Sequence, residues 1–357
     1  MKILFGLHGT THNEISQSEI DAFRAAGAET DSCAYGNWGT ANGMFNSLKL
    51  VFRNAQDLKK KAAAQQSDIV YLNTAFDFKT LVRDSITIFI LRRYSRKLKI
   101  VLKFHGSESD VVFSRSVLKN YVLKRAHLML TLSSEERHNL LSVGVPTEKV
   151  AVTANVIQKD LYVADPGFRK SMGLSEDTHV LLFVGRFMPE KGILDLVEAC
   201  KLLKEANVNF CLFCLGNGPL LEEVNSLISK YGLNDNIKLP GHIPESETRR
   251  YYANCDVSIL PTYHQEGFPM AVFQAVGAGR PIITTRIRAA ADYLVENEHC
   301  LWVEKKNPQQ LYKQIAALVG NKPLQEKMRV NNLALAEKFT ATRIVNNLLP
   351  FLKKLIP

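Results

Sequence analysis

Long apolar runs are missing from this chain of 357 residues. The stretch Ile86 to Leu91 is interrupted by Thr87 and followed by Arg92 and Arg93, well short of the ~20 apolar residues that a membrane-crossing helix needs. The opening stretch, Met1 to His8, is too short for the apolar core of an export signal and reads as a first strand. Cysteine is sparse. Six in a chain of this length do not make a disulfide framework and predict a reducing, cytoplasmic location, soluble or at most attached to the inner face of a membrane. Twenty glycines and thirteen prolines exclude collagen-like and low-complexity readings, and no internal repeat is visible. Also missing are an Asp-x-Asp pair, a Gly-x-Ser-x-Gly elbow and a Gly-x4-Gly-Lys-Ser/Thr loop. No divalent metal is therefore expected.

What is present is an ordinary globular composition, 46% apolar and 22% charged, long enough for two domains that each bury a core. Short β-branched and aromatic runs alternate with helical patterns. In the first half strands are expected at residues 2–8, 69–72, 100–104, 128–131 and 150–153, with helices near 16–26, 45–64, 79–93, 114–125 and 134–142. After a turn-forming cluster, Ala164-Asp165-Pro166-Gly167, the rhythm restarts with strands at 180–184, 210–215, 237–239, 257–260 and 281–284. Runs such as Val180-Leu181-Leu182-Phe183-Val184 are apolar throughout, as strands buried on both faces must be. The pattern predicts an α/β chain of two Rossmann-like doubly wound domains facing across a cleft, with ligand at the carboxyl ends of the strands. The boundaries read as 1–164 for an acceptor-side domain and 165–340 for a donor-binding domain. From residue 308 onward the chain reads as helices only, and the last, 341–357, is expected to pack back on the first domain.

The net charge of +10 is concentrated. Residues 79–125 hold twelve basic side chains against three acidic ones, a net +9. Either this is a solvated face or it is a patch for anionic lipid headgroups, with Phe76, Phe78, Ile86, Ile88, Phe89 and Leu91 supplying apolar material beside it. A nucleic-acid groove is not expected, because no recognised binding module accompanies the charge.

Three segments carry chemistry. In the first, Val184-Gly185-Arg186-Phe187-Met188-Pro189-Glu190-Lys191-Gly192, Gly185 lets a ligand approach the backbone. Arg186 and Lys191 stand five positions apart on a loop between strand and helix, as two cations binding one diphosphate beside a helix N-terminus would. The second, Leu215-Gly216-Asn217-Gly218-Pro219, places Gly216 and Gly218 in a tight turn after a strand. The third runs from Pro261 to Ala275 and includes Glu266, Gly267 and Phe268. A helix is expected to start at about Pro269, with the N–H groups of Met270 and Ala271 directed at a phosphate. Glu266 then stands beside a phosphate site, where a carboxylate is tolerable if it binds hydroxyl groups such as those of a sugar. Gln274 follows two helical turns later. Cys211-Leu212-Phe213-Cys214 has redox spacing but lies inside an apolar strand, which points to core packing.

Together the three segments resemble the retaining glycosyltransferases of family 4, which have the GT-B fold. The resemblance covers nearly the whole chain and is strongest from Leu181 to Ile283. It implies that Arg186 and Lys191 hold a nucleotide diphosphate and that Glu266, first residue of the family's Glu-x7-Glu motif, binds the donor sugar. The second glutamate, which binds the ribose hydroxyls, is Gln274 here. It also implies that Ile243, in Gly241-His242-Ile243, reads the base through its backbone, that His105 in Phe104-His105-Gly106 touches the donor sugar, and that Gly9 lies near donor phosphate and acceptor. Asn155 and Val156 stand where the family has Asn-Gly, and Arg286-Ile287-Arg288-Ala289-Ala290 replaces a glycine-rich loop, either adding cations near the phosphates or closing the site differently. The implied activity is transfer of a hexosyl or N-acetylhexosaminyl group from a nucleotide sugar, with UDP as the nucleotide, to a saccharide or lipid-linked acceptor in surface polysaccharide or glycoconjugate assembly. Two other readings stay open: a nucleotide-sugar 2-epimerase, and a nucleotide-sugar binder without turnover.

Overall fold

The computed structural model describes residues 1–7, 13–36, 43–106 and 112–356. By its internal contacts the chain divides into two compact units. One comprises Met1–Val156, Gln265–Phe268 and Phe339–Pro357, the other Ile157–His264 and Pro269–Lys338.

The first unit is built on six parallel strands: β1 (Lys2–Leu7), β2 (Glu29–Ala34), β3 (Ile69–Thr74), β4 (Lys99–Phe104), β5 (Leu128–Thr131) and β6 (Val150–Val152), in the order β2-β1-β3-β4-β5-β6. Strand order switches sides between β1 and β3, with β2 added on one side of β1 and β3 on the other, and such a switch point is where ligands bind in open α/β sheets. Helix Met44–Gln65 buries Val51, Ala55, Leu58 and Ala62, one face at helical spacing. Helix Phe78–Tyr94 starts at a capping box in which the Asp77 carboxylate accepts from the Thr80 N–H at 2.7 Å. Ser116 and Ser133 cap helices Val117–Arg125 and Ser134–Ser142 by accepting from the Lys119 and Glu136 N–H groups. Helix Asn13–Ala25 lies against helix Ala341–Lys353. Under it, the buried Lys103 ammonium and Glu19 carboxylate pair at 2.8 Å, and Tyr71 donates to the same carboxylate at 3.0 Å. This satisfies polar groups that would otherwise be costly in the core.

The second unit repeats the plan with β7 (His179–Val184), β8 (Phe210–Leu215), β9 (Ile237–Gly241), β10 (Val257–Leu260), β11 (Ile282–Thr284) and β12 (Cys300–Trp302), ordered β12-β11-β10-β7-β8-β9. Here the switch point in strand order lies between β7 and β10. All six residues of β8 are buried, Cys211 and Cys214 among them. Burial pushes the Cys211 thiol up to about 11 and Cys214 well above its ordinary value, as expected for packing residues. The expected turn at residues 164–167 is tied down. Asp165 pairs with Arg250 at 2.7 Å and also accepts from the Gly167 N–H at 2.8 Å.

Two strands escape the sequence pattern, β2 and β12, and each is the edge of its sheet. β2 reads Glu-Thr-Asp-Ser-Cys-Ala and is only partly covered, so it carries no apolar run; β12 is three residues long.

Candidate functional site

The carboxyl ends of β7, β8 and β10 carry the loops of the second unit that hold the first two segments and the start of the third. After β7 the chain makes a short helical turn, Pro189–Lys191, and enters helix Ile193–Glu205 through Gly192. The Glu190 carbonyl accepts from the Tyr263 N–H at 2.8 Å, the Thr262 hydroxyl at 3.1 Å and the His264 N–H at 3.2 Å. The loop after β7 is thus fixed to the loop after β10 across the switch point. Arg186 is exposed on it and Lys191 half-buried.

The glycines here answer to backbone packing. Gly192 has φ 71°, and a Cβ on it would stand 2.3 Å from the Pro261 carbonyl oxygen. A Cβ on Gly216 would stand 1.9 Å from the Gly185 carbonyl oxygen, and one on Gly218 would stand 2.5 Å from that of Phe187. Gly185 itself would meet only ordinary contact, 3.5 Å from the Phe183 ring. The Gly-x-Gly pair therefore lets the loop after β8 lie on the loop after β7, while Gly185 leaves the backbone open.

Helix Met270–Gly277 begins one residue later than expected, with Pro269 as its cap rather than its first residue. The Pro269 carbonyl accepts from the Val272 and Phe273 N–H groups, which places Ala271 in the first turn, where no carbonyl lies one turn back to receive its N–H. Gln274, half-buried, donates through Nε2 to Glu245 Oε1 at 3.2 Å. Glu245 opens helix Glu245–Asn254, two residues after half-buried Ile243, and escaped the sequence reading because its partner lies 29 positions away. A carboxylate is thus present beside position 274, delivered from a neighbouring helix. Its charge adds to burial in pushing the Tyr162 hydroxyl up. In the 286–290 segment, Arg288 is buried and Arg286 lies over the Trp302 ring at 5.9 Å.

In the first unit, His105 directly follows β4 and is exposed. Its Nε2 stands 2.9 Å from Asn73 Oδ1 at the end of β3. The Asn73 carbonyl accepts from Arg83 Nη2 at 2.8 Å. Arg83 is buried, bonded to Asp84 at 2.8 Å and stacked 4.2 Å over the Tyr35 ring, whose hydroxyl bonds the same carboxylate. Burial alone would lower the Arg83 pKa; the Asp84 carboxylate, with the Tyr35 hydroxyl beside it, outweighs that and holds it raised. Half-buried Glu266 and buried Gly267 and Phe268 also belong to this unit. A Cβ on Gly267 would stand 3.0 Å from the buried Glu136 carboxylate, and Phe268 meets Phe339 edge-on at 5.5 Å. Gly9 lies outside the described residues.

The basic stretch 79–125 is smaller as a surface than as a sequence. Arg83, Lys103 and Lys119 are buried; Lys119 donates to the Val112 and Ser114 carbonyls. Phe76, Ile88 and Leu91 are core residues, whereas Phe78 and Phe89 are exposed. Among the described residues no three His, Cys, Asp or Glu side chains are grouped to hold a metal ion, and no helix is long and apolar enough to cross a membrane.

The model of the family described as glycosyl transferases group 1 matches residues 165–333, which contain all three loop segments. A relative from Escherichia coli named for colanic acid biosynthesis, WcaL, is 30% identical over 220 residues, covering 58% of this chain and 52% of that protein. CapM of Staphylococcus aureus, named a capsular polysaccharide biosynthesis glycosyltransferase, is 27% identical over 228 residues, covering 61% of this chain and 58% of its own. The chain spans about half the length of the curated relatives it matches. Among solved structures, HepE of Anabaena in complex with UDP and glucose has a TM-score of 0.78 at 18% identity, with 99% of this chain and 100% of that one covered. A glycosyltransferase from Rickettsia africae has a TM-score of 0.79 at 17% identity, covering 99% and 98%. At these identities the likeness is one of fold: two α/β units, each on a six-stranded parallel sheet, in the GT-B architecture.

Proposed function

We propose that this chain is a retaining, metal-independent glycosyltransferase that moves a sugar from a nucleotide diphosphate to a saccharide or lipid-linked acceptor in surface polysaccharide or glycoconjugate assembly. One observation carries the reading. Within the segment matched by the glycosyl transferases group 1 model, Arg186 and Lys191 ride on a loop bonded to the segment that leads into helix Met270–Gly277. Two cations beside a helix start suit a diphosphate leaving group. UDP is taken as the donor nucleotide by resemblance to the family and to the UDP-bound HepE.

In this mechanism the bond between the anomeric carbon and the diphosphate oxygen breaks with both electrons leaving on the oxygen. Arg186, Lys191 and the first-turn amide of Ala271 stabilise that charge. The acceptor hydroxyl adds from the face the diphosphate vacates and gives its proton to the departing phosphate oxygen, so no protein nucleophile is needed. His105 and Glu266 orient the sugar. Membrane-borne acceptors fit the net positive charge of residues 79–125.

Thermal-shift screening against nucleotide sugars identifies the donor, since a ligand at 100 times its Kd adds ~2.7 kcal/mol. Transfer is then measured with and without acceptors. Lys191→Ala is expected to lower turnover by orders of magnitude with folding intact; near-normal turnover overturns the assignment. A new nucleotide sugar formed from donor alone would mean an epimerase, and tight donor binding without product over a broad acceptor panel a binder. Full activity in EDTA is expected.

A further inference from the structure

Three neighbouring helices of the first unit begin with apolar side chains turned to solvent. Met44 and Phe45 open helix Met44–Gln65, with Phe45 81% exposed and Phe52 two turns further on the same side also exposed. Phe78 opens helix Phe78–Tyr94 at 69% exposure. Val117 opens helix Val117–Arg125 at 82%, just after exposed Phe113. The first helix packs on the second and the second on the third. Each connects consecutive parallel strands, β2 to β3, β3 to β4 and β4 to β5, so all three run against the strands on one face of the sheet. Their first turns therefore line up at the carboxyl edge, the edge where His105 follows β4.

Aromatic and branched side chains clustered in water carry a hydration cost that a folded chain normally avoids by burying them. The other faces of the same helices do bury Val51, Leu58, Leu81 and Ile88. Between the apolar residues stand four exposed cations, Lys49, Arg53, Lys79 and Arg115. Of the described carboxylates near them, Asp77 is turned into its own helix cap, and Asp57 stands exposed one turn beyond Arg53, so the cations outnumber the exposed acid. Apolar side chains interleaved with cations match the boundary between acyl chains and anionic headgroups.

We propose that this rim is a membrane-docking surface: the first turns of the three helices enter the headgroup region of a bilayer containing anionic lipid, and the four cations meet lipid phosphates. It rests on the transferase reading only for its purpose, bringing the edge that carries His105 to a membrane-borne acceptor. The contact is distinct from the exposed cluster Arg93, Arg96, Lys97, Lys124 and Arg125, which the antiparallel run of the helices puts at the opposite, amino-terminal edge of the sheet.

Co-sedimentation with vesicles of phosphatidylcholine and phosphatidylglycerol, without donor or acceptor, tests it. The full chain is expected to bind at low salt. The triple variant Phe45→Ser, Phe78→Ser, Val117→Ser is expected to bind at least tenfold more weakly, with an unchanged circular dichroism spectrum and unchanged UDP affinity. A second variant, Arg96→Ser, Lys97→Ser, Lys124→Ser, is expected to keep most of the binding. The proposal is overturned if the triple variant binds like the parent, if only the amino-edge variant loses binding, or if the parent ignores vesicles and forms a dimer that the triple variant abolishes. Because vesicle binding is read without turnover, a failed transferase assay leaves this result standing, and the converse holds.

Discussion

The Nε2 of His105 stands 2.9 Å from the Oδ1 of Asn73, joining the ends of two adjacent strands of the first unit. As a carbonyl oxygen, Asn73 Oδ1 accepts, so the imidazole carries its proton on Nε2 in this contact. Asn73 is in turn held by Arg83, and the exposed imidazole is thereby referred to a buried ion pair.

On the proposed role of His105 in orienting the donor sugar, Asn73→Ala is expected to lower kcat roughly 10–100-fold, the worth of orienting a reacting group. Stability should hardly change, since the contact is at the surface. Nitrogen NMR of the imidazole separates positioning from a structural role. The variant should show mixed tautomers at His105; an unchanged tautomer with reduced kcat would remove Asn73 from the positioning chain.

Asp84→Ala leaves the Arg83 guanidinium buried without its partner and is expected to cost about 3–5 kcal/mol in urea unfolding. Arg83→Met combined with Asp84→Leu should cost less than the sum of the single changes, because both charges then leave the core together.

Gln274→Glu would put a second carboxylate at the 3.2 Å contact with Glu245. Repulsion between two like charges at that range is expected to weaken UDP binding in calorimetry about tenfold. Adding Glu245→Gln should restore it, since one carboxylate and one amide face each other again. Equal affinity in all three proteins would show that the pair does not touch the nucleotide.

The glycines of the loops divide by what a side chain would strike. Gly192→Ala is expected to cost about 2–4 kcal/mol, combining a positive φ with a Cβ 2.3 Å from a carbonyl oxygen. Gly185→Ala meets only ordinary contacts and should leave the melting temperature nearly unchanged. A loss of donor affinity in that stable variant would report close approach of ligand to the backbone.

Burial and the charges of Arg92, Lys99 and Lys149 lower the His127 imidazole to about 4. Its Nδ1 accepts from the Ile100 N–H at 3.0 Å, which requires the neutral ring. Below the ordinary value of ~6.5 the unfolded chain takes up a proton that the folded chain refuses. Stability from this site is therefore complete above that pH and falls as pH drops toward 4. His127→Asn, which keeps an acceptor for Ile100, should flatten this part of the pH–stability curve.

Much of this was legible in the chain itself, because the information is local. Apolar runs buried on both faces and helical spacing such as Val51, Ala55, Leu58 and Ala62 repeat within a few residues. They specify two parallel α/β halves and put Arg186, Lys191 and the 261–275 segment at strand ends. What needed the tertiary structure was every relationship that joins distant positions. Gln274 finds Glu245 across 29 residues and His105 finds Asn73 across 32. The same holds for charge: sequence counts Arg83, Lys103 and Lys119 with the basic surface, and folding withdraws all three into the interior. The edge strands β2 and β12 and the apolar rim of Phe45, Phe78 and Val117 belong here too. Whether a side chain meets protein or water depends on which neighbours the fold brings to it, and periodicity along one element carries no record of them.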